Sequence, residues 1–320
     1  MKCEIVKLNL KSPLHLGEKE GMLEDTNIIL HSDTLFSAIC HGYRMLYGEK
    51  ALEELLERFV KNTPPFLLSS AFPFYKEHLL LPVAYSSMPD EPSFKHLELI
   101  PKNLWENSVA NETINTAGHC LVQDGKVLLP DDGTCRQSER DEYPIWKETE
   151  VQRVSLDRIT SASDIFNFRQ IYFNESSGLY FLLKWNDSSF SDKIRGVIRL
   201  LGDEGIGGDR GSGKGAFEAE FDEDGIVFKS FENNKNILLS LLFLSESETS
   251  EFNGVYDFKM RGGFVFSFDN TTRRKKYVRM LTEGSVLYGK KPVGSFIDIT
   301  PDGFTKHKVY RYGYAFSISF

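Results

Sequence analysis

The chain has 320 residues, 41% of them hydrophobic and 13% aromatic, which is enough apolar material for two globular domains. A formal net charge of −8 excludes a protein that coats nucleic acid over its whole surface, while leaving room for a local basic groove. No apolar run reaches membrane-spanning length and Met1-Lys2-Cys3-Glu4 opens no signal-peptide pattern, so a cytoplasmic protein with no membrane partner is expected. Cys3, Cys40, Cys120 and Cys135 are scattered without a CxxC pair, which predicts reduced thiols and no thiolate metal site.

Val6, Leu8 and Leu10 alternate with Lys7 and Asn9, so the chain begins with a half-buried strand that ends at Pro13-Leu14-His15-Leu16-Gly17. Ser32 or Asp33 can cap a following helix with Leu35, Phe36, Ile39, Cys40, Tyr43, Leu46 and Tyr47 inward, stopping at Gly48. A second helix buries Leu52, Leu55, Leu56, Phe59 and Val60 and runs to Pro64-Pro65. From Phe72 to about Glu150 periodicity weakens, and the stretch reads as an insertion that reaches away from the domain. Two strands, about Phe166 to Phe173 and Gly178 to Trp185, are expected to form a hairpin through Asn174-Glu175-Ser176-Ser177. A helix with Ile194, Val197, Ile198, Leu200 and Leu201 on one face and a strand with Phe217, Ala219 and Phe221 complete a first unit.

Strand, helix, strand, strand, helix, strand is the split βαβ order of ferredoxin-like and RRM folds, here with the insertion before the third strand. The expected fold class is α+β. Its first domain covers residues 1–222, including the insertion at 72–150, and its second covers 223–320. The second half is strand-rich: Ile237 to Leu244 is continuously apolar, Phe264, Phe266 and Phe268 alternate, and so do Tyr312, Tyr314, Phe316, Ile318 and Phe320. Basic residues cluster at Arg273-Arg274-Lys275-Lys276 with Arg279, and at Arg153 with Arg158; a solvated charge run is the plain meaning of any one such cluster.

Between the amphipathic helix and the Phe217 strand lies a loop from Gly202 to Gly215 with seven glycines. That density is expected where the chain takes φ > 0 or where another molecule touches the backbone. Gly208-x4-Gly213-Lys214 nearly spells a P-loop, but Gly215 stands where the magnesium-binding Ser or Thr belongs and the loop runs from helix to strand, not strand to helix. Gly211-x-Gly213-x-x-Ala216 is a weaker echo of a dinucleotide fingerprint, without the preceding strand. What remains is a run of amides beside Arg210 and Lys214 suited to an extended phosphate chain, or else a mobile surface linker.

Four segments in order carry a family resemblance: His31-Ser32-Asp33-Thr34-Leu35-Phe36-Ser37-Ala38, Arg153 to Thr160 with its Leu-Asp-Arg, Gly205 to Gly215, and His307-Lys308-Val309-Tyr310-Arg311-Tyr312-Gly313. Together they resemble the RAMP superfamily of CRISPR proteins, and within it the family of the fourth Csm subunit of type III-A interference complexes. The resemblance implies two ferredoxin-like (RRM-like) domains and a protruding thumb, for which 72–150 is the natural segment. It implies a non-catalytic ribonucleoprotein subunit that caps the 5′ handle of crRNA, sits beside target RNA at the thumb, and joins the large polymerase-like signalling subunit to the backbone subunit. It implies no cofactor, no metal and no catalytic residue.

Carried onto this chain, the resemblance assigns RNA contacts to His15, Ser32, Asp33 and Thr34 near the first helix N-terminus and to Arg153 and Arg158 at the thumb base. In the loop it assigns Gly205, Gly207, Gly208, Asp209, Arg210, Gly211, Ser212, Gly213, Lys214 and Gly215. In the second half it assigns Arg261, Gly262, Gly263, His307, Tyr310 and Arg311. Plainer roles stand beside these: Ser32 and Asp33 as helix caps, His15 and His307 as ordinary hydrogen-bonded histidines, Tyr310 as sheet cover, and Arg158 paired with Asp157 or Asp164. The rival function is a metal-independent endoribonuclease that processes crRNA, as some RAMP relatives are, with His15, His31 and His41 as its acid–base candidates. A metal nuclease using Asp33, Asp203, Glu204 or Asp209, and a scaffold without RNA contacts, complete the set.

Overall fold

In the structure, a computed structural model, residues 2–17, 26–111, 113–131, 144–156, 163–228, 234–250, 252–265 and 273–320 are described. The opening strand β1 (Lys2–Leu10) sends Val6 and Leu8 to one face and Cys3 and Ile5 to the other, all four buried. Helix α1 (Ser32–Val60) contains both expected helical runs, broken at Gly48, whose φ of 84° is open to glycine at little cost. Leu35, Phe36, Ile39, Tyr43, Leu55 and Phe59 face inward, whereas Leu46, Tyr47 and Val60 are exposed at the two run ends.

Short strands follow: β2 (Phe66–Leu68), β3 (Phe72–Tyr75), β4 (His78–Pro82) and β5 (Leu99–Pro101). Next come α2 (Lys102–Asn111), β6 (His119–Val122), β7 (Val127–Pro130) and the long pair β8 (Trp146–Leu156) and β9 (Ser163–Phe173). The first half closes with β10 (Ser177–Trp185), α3 (Ser191–Glu204) and β11 (Phe217–Val227). One sheet runs in the order β11-β1-β10-β3-β4-β5-β7-β6, with β2 also on β10. β1 lies antiparallel between β11 and β10, and β10 is antiparallel to β2 and β3, so the strands flanking the two long helices interleave.

Two expectations need correction. β9 pairs along its whole length with β8, Phe168 opposite Val151, and the strand before Trp185 pairs with β1, β2 and β3, so no 166–185 hairpin forms. Alternation identifies a strand but not its partner. The stretch from Phe72 to Pro130 does not leave the domain either: β3 to β7 extend the same sheet, with Phe72, Leu80, Leu99, Val127 and Leu129 fully buried. Its prolines and short strands hide that register from a periodicity reading. The boundary at residue 222 falls inside β11.

The second half comprises β12 (Lys235–Leu238), the one-turn α4 (Glu246–Thr249), β13 (Gly254–Val255), β14 (Phe258–Arg261), β15 (Val278–Leu281) and β16 (Val286–Tyr288). β17 (Gly294–Asp298), β18 (Tyr310–Tyr314) and β19 (Ser317–Ser319) follow. A small sheet orders β13-β16-β12-β19, beside two-stranded ladders β14–β15 and β17–β18. Helices α1 and α3 cover one face of the large sheet, while Ile237, Leu239, Val286, Phe316, Ile318 and Phe320 cover the other together with Trp105. Tyr312 and Tyr314, a few residues before Phe316, belong instead to the core beneath α1. There Tyr314 Oη donates to Phe59 O at 2.6 Å and Leu68 N–H donates to Tyr312 Oη at 3.1 Å. The large sheet is therefore buried on both sides, and the last strands serve both cores.

Cys3 and Cys40 are free thiols, but Cys120 is disulfide-bonded, which corrects the expectation of four reduced cysteines. Among the described residues no helix is long and apolar enough to cross a membrane.

Candidate nucleic-acid interface

A cleft of about 460 Å³ opens where the start of α1, the glycine loop after α3 and the second half meet. His15, Asp33, Thr34, Gly207, Gly208, Arg210, Arg261, Gly262 and Arg311, nine residues selected from sequence, all line it, with His31, His41 and Lys275 added. Its charged lining is mainly cationic in a chain of net charge −8. Asp33 is the one carboxylate among the described lining residues.

Asp33 does not cap its helix. The N-cap position is His31, and no side chain there bonds the free amides. Instead Arg261 grips Asp33 through Nε and Nη2, each at 2.9 Å, and Arg311 Nη1 donates to the same carboxylate. Arg261 Nη2 also reaches Thr34 Oγ1 at 2.9 Å, and Arg311 Nη2 donates to Gly262 O at 2.7 Å. Burial alone would raise the Asp33 carboxyl, but the two guanidiniums outweigh it and hold it well below the usual carboxylate range. Ser32 lies behind this cluster, its amide donating to Ser70 Oγ at 2.8 Å and its Oγ accepting from Leu241 N–H at 3.1 Å.

The glycine loop is shaped first by the chain itself. The Gly215 amide donates to Pro13 O at 2.9 Å, the Gly208 amide to His15 O at 2.8 Å and the Ile206 amide to Gly215 O at 2.9 Å. Those of Gly205, Ser212 and Gly213 donate to Leu201, Asp209 and Arg210 carbonyls. The amides expected to face a phosphate are thus mostly engaged internally. A Cβ on Gly215 would lie 1.9 Å from Ile206 O, and one on Gly207 2.5 Å from His15 O. Glycine is required there because two backbone segments cross in contact. Only the outer turn is open, since a Cβ on Gly211 or Gly213 would meet nothing within 4 Å.

Arg153 and Lys214 stand beside the cleft and flank Phe168 of β9, at 4.4 and 4.7 Å from its ring centre, with the His15 ring also 4.4 Å away. Arg153 Nη2 donates to Asp209 Oδ2 at 2.6 Å, Ser212 Oγ donates to Asp209 Oδ1 at 2.9 Å, and Lys214 Nζ bonds Gln170 Oε1. The Arg153 bond holds the Asp209 carboxyl low; burial, then Arg153, lowers the Lys214 ammonium. This knot fastens the β8–β9 ribbon to the loop. His15 Nδ1 bonds Arg169 O at 2.7 Å, fixing its ring.

The other expected residues are not brought together. Tyr310 stacks on Phe296 at 4.9 Å, and His307 sits on the surface against Phe304, with Nδ1 2.9 Å from Lys308 O. Gly263 takes a φ of 103° behind the cleft wall and accepts from the Lys275 amide. Arg158 lies outside the described residues.

The RAMP superfamily model matches residues 7–218, two thirds of the chain. The chain belongs to the RAMP superfamily. The rest of this RAMP protein matches a second family, the CRISPR Csm4 C-terminal domain, over residues 232–320, so the resemblance to the fourth Csm subunit holds. It is similar to the CRISPR system Cms protein Csm4 of Methanocaldococcus jannaschii, 27% identical over 98% of this chain and 96% of that one. The Csm4 of Thermococcus onnurineus is 29% identical over 91% of each. Among solved structures, a Csm3–Csm4 subcomplex of a type III-A interference complex superposes with a TM-score of 0.68 at 21% identity, covering 100% and 99% of the two chains. A Csm1–Csm4 cassette with cA4 gives 0.64 at 22%, covering 100% and 98%.

Three groups in or around the cleft of this RAMP protein carry no signal in the sequence: Lys275 lines it, Phe168 packs on His15 beside it, and Glu283 holds His31 from behind. Phe168 was one aromatic in an ordinary strand. Lys275 was one cation in a run of four, and nothing local separates it from Arg274 or Lys276. Glu283, buried and bonded to His31 Nδ1 at 2.8 Å, carries no motif at all.

Proposed function

We propose that this chain is the Csm4-type subunit of a type III-A CRISPR effector and that its cleft holds phosphates of the crRNA 5′ handle without breaking a bond. The observation that carries this reading is the convergence of Arg210, Arg261, Lys275 and Arg311, from three distant parts of the sequence, on one cleft in an acidic protein. Cations set in a groove position a phosphate chain and read no bases. The strand order β11-β1-β10-β2 with two helices on one face supports a ferredoxin-like first domain. The second half has strands suited to a like unit, though among its described residues the helix is one turn long. The projecting element is the β8–β9 ribbon, whose outer end exposes Val154, Leu156 and Ile165; a place beside target RNA suits it. The solved Csm3–Csm4 and Csm1–Csm4 assemblies make the backbone and signalling subunits the expected protein partners.

The test is Arg210→Ala in the reconstituted complex. Retention of crRNA should weaken, and the slope of log K against log salt should fall by about one phosphate equivalent. An unchanged slope in an intact complex, together with a crRNA footprint that places the 5′ end on another subunit, would rule the reading out.

One observation favours the nuclease alternative: His15, His31 and His41 line the same cleft. Against it, His31 has Glu283 on one ring nitrogen and Lys259 Nζ 2.9 Å from the other, and His15 is tied through Nδ1 to Arg169 O. Precursor crRNA incubated with the purified chain should stay whole. Cutting that disappears in His15→Ala or His41→Ala would replace the capping role with a catalytic one.

A further inference from the structure

The ribbon of β14 and β15 has two unlike faces. Lys259 and Arg261 turn inward, the first to His31 Nε2 at 2.9 Å and the second to Asp33 in the cleft. Phe258 and Met260 alternate with them and point outward, both exposed, with Arg279 paired opposite Met260 and its guanidinium 5.5 Å over the Phe258 ring. Arg261 pairs with Val278, so the next step along the ribbon sets Tyr277 across from Gly262. The tyrosine ring rests against that glycine: a Cβ on Gly262 would stand 2.3 Å from Cε1, 2.7 Å from Cδ1 and 2.9 Å from Cζ of Tyr277. Gly262 does not take the left-handed backbone, so the ring, not the turn, calls for glycine there. On the cleft side the Gly262 carbonyl accepts from Arg311 Nη2 at 2.7 Å. Tyr277 is thus separated from the cleft by the backbone of a single glycine, and it is 54% exposed.

We infer that Tyr277 is a stacking platform for one base of the RNA whose phosphates occupy the cleft. This rests on the cleft being an RNA site, and it names the residue that takes a base there. Aromatic side chains beside a cationic groove receive the unstacked bases of a single strand whatever their identity, because every base has a π-face. The parts stand in that relation here, with Arg261 and Arg311 in the cleft and the Tyr277 ring against Gly262. Neither Gly262 nor Gly263 puts a side chain between them, and a Cβ on Gly263 would meet nothing within 4 Å among the described residues. Exposed Tyr, Met and Phe beside an arginine would also suit a protein surface. RNA is favoured because the strip ends at the cleft wall and because the cations Arg273, Arg274, Lys275 and Arg279 flank the ring in the chain.

The experiment titrates labelled single-stranded RNA carrying the guide's 5′ end against the full chain at several salt concentrations. Tyr277→Ala should weaken binding about tenfold while the slope of log K against log salt stays that of wild type, since a base contact and no phosphate contact is lost. Tyr277→Phe, which keeps the ring, should bind as wild type. Gly262→Ala, whose Cβ displaces the ring, should lose affinity alone and add nothing in the Tyr277→Ala background. Replacing the handle nucleotides one at a time by abasic residues should find one position at which Tyr277→Ala has no further effect. Wild-type affinity in Tyr277→Ala, additive losses from the two changes, or an equal loss with every abasic RNA overturns the stack. If Arg210→Ala lowers the salt slope and Tyr277→Ala changes nothing, the handle cleft stands and the stack is lost. A Tyr277→Ala chain that keeps its RNA but releases the purified backbone or signalling subunit would make the strip a protein interface instead. If neither substitution affects RNA binding, the RNA site fails and the stack with it.

Discussion

Asp33 shows how one side chain can be misread from its neighbours. Three residues into a helix signal it looks like a cap, yet its partners lie 228 and 278 positions away, at Arg261 and Arg311. No local pattern contains that distance. Asp33→Asn should remove the buried carboxylate that Arg261 and Arg311 share and cost about 3 kcal/mol of stability, measured by denaturant unfolding. The pH profile follows with its sign fixed: the folded carboxyl lies below its unfolded value, so its contribution is complete above about pH 4 and disappears as acid protonates the native group. The variant should show a shallower loss of stability in acid than wild type. By contrast Arg210, Arg261 and Arg311, which motif order brings forward, do line one cleft, although their contacts lie beyond any local pattern.

At the scale of elements, the glycine loop was conspicuous and its cause was not. Seven glycines fit a ligand cradle or a crossing of two backbones equally well in sequence; the hydrogen bonds to Pro13 and His15 decide for the crossing. Gly215→Ala, at a φ of 71° with Ile206 O in the way, should therefore lose about 2 kcal/mol or more in thermal unfolding. Gly211→Ala should change stability by no more than about 0.5 kcal/mol, since its site is open. Equal losses at both positions would mean the loop does not make these contacts. Strands and helices themselves were largely legible, because α1, α3 and β1 bury stripes at their own period. Partners were not, as the pairing of β9 with β8 shows.

For the molecule as a whole, the sheet lies between two cores and neither can be removed without baring the other. Single-tryptophan variants that keep Trp105, in the second core, or Trp185, against the first, should report the same unfolding midpoint. Two separated midpoints would show that the halves are independent. A division at residue 222, drawn from the order of strands and helices, does not contain this, since the shared sheet is assembled from residues 2–227 while its outer face is closed by residues beyond 235.

Tyr312 and Tyr314 complete the packing around Phe36 and Phe59, nearly the whole sequence earlier. On a translating ribosome, α1 must therefore wait with an unfilled seam until the β18 segment clears the exit tunnel. Newly made chains are expected to depend on chaperones during that interval, and slowing synthesis before residue 310 should increase their aggregation rather than relieve it.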